Sequence, residues 1–199
     1  MRRPSIRRLH ALLALFAGLA AGGCAAPGER AVTAYVGAFS DHSLPDEILL
    51  AKPLTTEESY MGAVAYSEPF IEIPGAGARW EWEVQGVKHW GIQDHYELNA
   101  LLVMRLMRLP WNHVVRTSFA FGEGLSWASE VPEIEESSRE NDGATQLLNY
   151  LLLEATFGAP AWENLDFVFR IHHRSGIFGL FDDVNGGSNV LAVGLKYRF

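Results

Sequence analysis

Counting back in twos from Phe199, the chain places Tyr197, Leu195, Val193 and Leu191 on one parity and Arg198, Lys196, Gly194, Ala192 and Val190 on the other. A period of two is that of a β-strand, whose successive side chains point to opposite faces. One face of this strand suits hydrocarbon and closes on an aromatic pair, as at the water boundary of a membrane barrel; a soluble β-sandwich can end on the same alternation. The pattern predicts eight strands, at residues 32–40, 60–70, 79–88, 94–109, 113–123, 146–157, 165–175 and 188–199. Most reach the length of roughly 9–11 residues that a tilted membrane strand needs.

The connections favour a barrel. Residues 41–59, 124–145 and 176–187 form long, polar links, whereas 71–78, 110–112 and 158–164 are shorter. Outer-membrane barrels have long external loops and short periplasmic turns, with both termini periplasmic. Connections one, three, five and seven are then external, and only the third, 89–93, is short for that role. Parity assigns the faces. Trp80, Trp82 and Val84 oppose Glu81, Glu83 and Gln85, and Leu98, Leu102 and Met104 oppose Glu97, Asn99 and Arg105. A cation on the lipid face costs about 2–4 kcal/mol at the midplane. Glu81, Glu83, Glu97, Arg105, Arg116, Glu154 and Arg170 are therefore expected in the lumen, as a paired network rather than an open pore. The expected fold class is all-β, an eight-stranded antiparallel up-and-down transmembrane β-barrel.

The N-terminus changes the picture by naming a compartment. Arg2, Arg3, Arg7 and Arg8 precede an apolar run at 9–21 and the small residues Ala20-Ala21-Gly22-Gly23. This is the build of a secretory signal peptide, and the run is too short for a spanning helix. The expected organisation is a signal peptide at 1–23 and one barrel domain at 24–199. Cys24, the single cysteine, forms no intramolecular disulfide; it stands where lipid is attached in a lipoprotein, or is lost with the signal. The whole chain carries 16 basic and 24 acidic residues, and beyond Cys24 the balance is 12 against 24. Such acidity argues against a nucleic-acid partner. His42, His89, His95 and His113 show no metal-ligand spacing, so no metal site is read among them and no cofactor is expected.

Candidate chemistry sits in the seventh strand. Phe167, Phe169 and Ile171 mark its lipid face, and Asp166, Arg170, His172 and Arg174 its lumen face. His173 and Ser175 then fall on the lipid side, near the external end. An imidazole two residues from a hydroxyl on one strand face can act as its base. Asn189 shares the parity of Leu191 and Val193 at the external end of the neighbouring strand, where its oxygen can orient the His173 ring. Asn149, outward at the external end of the sixth strand, is a candidate oxyanion donor. His172 is expected inside, bonded to the charged network.

The stretch Arg170-Ile-His-His-Arg-Ser-Gly176, the Gly-rich loop and Gly187-Ser-Asn189, with the closing strand to Phe199, resembles the lipid A 3-O-deacylase family of outer-membrane barrels. The resemblance implies an eight-stranded barrel in the bacterial outer membrane, with a His-x-Ser motif in the seventh strand and a site facing the outer leaflet. It implies Ser175 as nucleophile and His173 as base, acting on an ester-linked hydroxyacyl chain of lipid A, with lipopolysaccharide as the partner. Two positions depart from the family. Asn189 stands in place of its Glu, and Gly176 in place of the Asn that commonly follows the serine, leaving the oxyanion to backbone amides such as that of Gly176. The alternative expectation is a non-catalytic structural or adhesive barrel with a degenerate site.

Overall fold

The computed structural model describes residues 29–45, 56–137, 144–159, 161–177, 184 and 187–199. The expected signal peptide and Cys24 lie outside them. Eight strands follow in chain order: β1 (Ala31–Ser40), β2 (Thr56–Ile73), β3 (Ala78–Gly91), β4 (Tyr96–Leu106), β5 (Arg116–Ala128), β6 (Leu147–Gly158), β7 (Leu165–Ser175) and β8 (Gly187–Arg198). Each pairs antiparallel with the next, and β8 closes on β1, giving a barrel without an edge. A short helix, α1 (Glu133–Ser137), lies in the link between β5 and β6.

Strand ends differ from the sequence expectation by a few residues, most at β2 and β5. β2 runs on past Phe70 to Ile73, and its register against β3 shifts between Pro69 and Ile71, a bulge where the missing amide of Pro69 is tolerated. β5 begins at Arg116, since Val114 and Val115 donate back to Trp111 O in a turn. It then continues past the expected end at Glu123 to Ala128, through Gly124. A Cβ at Gly122 would lie 2.7 Å from Leu101 Cδ1, and one at Gly124 2.7 Å from Leu101 Cβ. The two glycines admit bulkier neighbours to a narrow interior.

The outer face is apolar and unpartnered. Val36, Val64, Leu98, Phe121, Phe169 and Val193 are 43–59 % exposed around the barrel. Leaving six such side chains in water would forfeit about 1.5–3 kcal/mol each, on the order of a domain's whole stability, whereas hydrocarbon accepts them. Tyr60, Trp90, Tyr96 and Trp127 ring the end that carries the long loops, and Trp111, Trp162, Tyr197 and Phe199 ring the other. These are the two aromatic girdles of a transmembrane barrel.

Side chains fill the lumen. Glu154 lies at its centre, within 2.6 Å of Arg170 Nε, 2.7 Å of Arg105 Nη1 and 2.5 Å of Lys196 Nζ. Arg170 also donates to both Glu83 oxygens at 2.9 and 3.0 Å, while Glu81 accepts from Arg79 at 2.6 Å and Arg105 at 2.9 Å. Apolar clusters around Tyr35, Met61 and Val87, and around Leu101, Tyr150 and Leu152, occupy the rest. At the external end α1 caps the lumen. Ile134 packs on the first cluster, and Glu135 accepts from Arg174 and Ser188, each at 2.8 Å.

Removing one partner from such a network strands buried charges, which costs about 3–5 kcal/mol. Glu154→Ala should lower the unfolding free energy of the detergent-refolded barrel by about that amount, measured by urea titration, whereas Glu72→Ala on the exposed end of β2 should change it by less than about 0.5 kcal/mol.

Candidate active site

Four neighbouring strands assemble the site on the outer face at the external end. Alternation along β7 sends Arg170, His172 and Arg174 into the lumen, buried to 2 % exposure or less, and leaves His173 and Ser175 half-buried on the other side. In the pairing register His173 lies between Leu151 of β6 and Asn189 of β8, and Ser175 lies between Asn149 and Gly187. Ser175, His173, Asn189 and Asn149 thus come together on one patch. Gly176, immediately beyond β7, is tucked against the backbone of Val184, where a Cβ would lie 2.0 Å from Val184 O.

The hydrogen bonds around His173 fix its chemistry. Asn189 Nδ2 donates to His42 O at 2.7 Å, so the amide oxygen must point the other way. That oxygen lies 2.7 Å from His173 Nδ1. A carbonyl oxygen only accepts, so Nδ1 carries the proton and Nε2 of the neutral ring keeps its lone pair. This is the tautomer a general base needs, with Asn189 as the group that orients it. His172, one residue away, faces inward and takes a separate role: its Nε2 lies 2.9 Å from Glu97 Oε1, and Tyr150 OH lies 3.1 Å from its Nδ1.

Two further residues belong to the patch, and neither stands out in the sequence. Gly187 opens β8 opposite Ser175. A Cβ there would lie 2.3 Å from Arg174 O, 3.1 Å from His173 Cε1 and 3.1 Å from Ser175 Cβ. The imidazole and the serine therefore border one gap that only glycine leaves open. Glu123 shares the outward parity of Phe121 in β5 and pairs across to Leu151, which pairs in turn to His173. It is half-buried, and its carboxylate lies diagonally across from Asn149 on the outer face, where it can accept from the Asn149 amide. Parity alone puts Glu123, the last residue of the expected fifth strand, on the outer face with Phe121, but its place near Asn149 depends on the β5–β6 register. Gly187 carries no sequence signal beyond lying in a Gly-rich loop.

No protein-family model matches the chain, and no curated protein does. Solved structures match its fold. The outer membrane enzyme PagL superposes with a TM-score of 0.57 at 15% identity, covering 85% of this chain and 99% of that one. Neisserial surface protein A superposes with a TM-score of 0.51 at 12% identity, covering 85% of this chain and 96% of that one. What these neighbours share with the chain is the closed eight-stranded outer-membrane barrel.

Proposed function

We propose that the protein is an outer-membrane esterase that removes an ester-linked hydroxyacyl chain from lipid A at the membrane-facing site formed by Ser175, His173 and Asn189. The observation that carries this reading is the 2.7 Å contact between His173 Nδ1 and Asn189 Oδ1, held in that sense by the bond from Asn189 to His42 O. The likeness of residues 170–199 to the lipid A 3-O-deacylases supports the same assignment. A half-buried nucleophile on the lipid face is poorly placed for a water-soluble substrate and well placed for a lipid whose ester lies at headgroup depth.

In this mechanism Ser175 Oγ attacks the ester carbonyl carbon while its proton passes to His173 Nε2. The oxyanion is met by a backbone amide, with Gly176 the nearest in sequence, and by whatever donor capacity Asn149 keeps beyond Glu123. Collapse breaks the bond to the sugar oxygen, which takes the proton from His173. Water then hydrolyses the acyl-serine with His173 as base and releases a hydroxy fatty acid. Asn189 orients the imidazole but brings no charge to stabilise the imidazolium. That deficit favours the second reading, a structural or adhesive barrel with a degenerate site. One fold neighbour is an enzyme and the other a surface protein, so the barrel alone does not choose between them.

Mass spectrometry of lipid A from cells expressing the chain should show loss of one hydroxyacyl mass, absent with Ser175→Ala. An unchanged profile, with the protein folded in the outer membrane, would reject lipid A as substrate. Asn189→Ala should lower kcat on the order of 10²–10⁴-fold by freeing the ring, and Asn189→Glu should raise it on the order of 10-fold or more. If Asn189→Glu instead creates activity where the parent has none, the degenerate-site reading holds. Gly187→Ala should reduce kcat by about 10²-fold through displacement of His173 and Ser175, while heat-modifiable gel migration still reports a closed barrel.

A further inference from the structure

A second polar cluster lies inside the barrel, beneath the external rim and away from the esterase patch. His89 ends the lumen face of β3, Glu97 begins that of β4, and His95 lies in the link 92–95 between them. All three are buried, at 1 %, 0 % and 4 % exposure. A ring nitrogen from each histidine and a carboxylate oxygen of Glu97 lie within 4.8 Å of one another. The link is held shut by the bond from His89 N to His95 O at 2.9 Å, and the two imidazoles stack with centroids 4.3 Å apart.

The cluster is short of partners. His89 Nδ1, His95 Nε2 and both amide atoms of Gln93, itself 2 % exposed, find no hydrogen-bond partner among the described residues. A buried polar atom left unpaired costs about 1–3 kcal/mol, and an ion at the cluster gives the His95 Nε2 lone pair a partner.

We propose that His89, His95 and Glu97 bind one borderline divalent transition-metal ion of the Zn²⁺ type. Two imidazoles and a carboxylate form a ligand set suited to such ions, whereas Ca²⁺ and Mg²⁺ favour all-oxygen sites. His89 Nε2 and Glu97 Oε2 stand 2.9 Å apart, close to the edge of about 3.3 Å set by bonds of about 2.0–2.1 Å in a tetrahedral site. The ion takes the place of the proton now shared between them, and a swing of the His95 ring brings in the third ligand. The surroundings already support Glu97: its other oxygen accepts from Ser126 Oγ at 2.9 Å and from His172 Nε2 at 2.9 Å. Such bonds orient a ligating carboxylate. The ion pins the link 92–95 to the rim. None of this depends on the lipid-ester reading, because the ligands face the lumen and the ester site faces the membrane.

The test uses the membrane-inserted chain, purified without an affinity tag, stripped with chelator and dialysed against low-micromolar Zn²⁺. Metal per chain is read by elemental mass spectrometry and coordination geometry by the visible spectrum of the Co²⁺ form. One equivalent of Zn²⁺, an intense tetrahedral-type Co²⁺ band and a raised unfolding midpoint are expected. His95→Ala in the link and the isosteric Glu97→Gln should each lose the equivalent and the rise in midpoint, while His42→Ala and His113→Ala keep both. Gel migration confirms that each variant is closed, and His95→Ala decides the matter if Glu97→Gln does not fold. Substoichiometric binding, or binding that survives His95→Ala, overturns the proposal and leaves the unpaired atoms to water.

Discussion

A sheet of eight strands closed on itself has no edge to protect, but it encloses a space too narrow for a water channel and too large for backbone alone. Every inward side chain must meet another one. Here that constraint is satisfied around Glu154, which faces Arg170, Arg105 and Lys196 from three other strands. Because β6, β7, β4 and β8 all send a charge to this point, sliding any of them by one residue would move its charge to the lipid. The ion-pair network therefore fixes the register, and the register places everything else.

The outer patch follows from that register. With Arg170 held inward, His173 and Ser175 must face outward near the external end, and the β7–β8 pairing sets His173 directly against Asn189. The same lock carries two histidines of one dipeptide to opposite sides of the wall. His172 joins Glu97 in the lumen, and His173 joins Asn189 on the membrane side. Their environments differ accordingly, one a buried polar cluster beneath a helix cap, the other a half-buried site open to lipid.

The rim of the barrel is where local rules loosen. α1 folds over the lumen by pairing Glu135 with Arg174, and the link 92–95 turns two histidines toward each other rather than toward water. Buried polar groups at a loop-bearing end, beyond the central ion pairs, are where ligand binding can be added without disturbing the transmembrane register.

Much of this was legible in the sequence because a strand's side-chain period is two. Alternation identified the eight strands, their lipid and lumen faces, and the outward placement of His173, Ser175, Asn149 and Asn189, since each depends only on parity within one strand. Strand ends were less legible: β2 continues past residue 70 to Ile73 and β5 past residue 123 to Ala128, and only pairing with β3 and β4 shows those residues inside strands. Neither Gly187 nor the convergence of His89, His95 and Glu97 could be read at all. The first depends on how closely β7 approaches β8, and the second on a link that folds inward. Distances between strands arise from register and packing across the barrel, which no local pattern encodes.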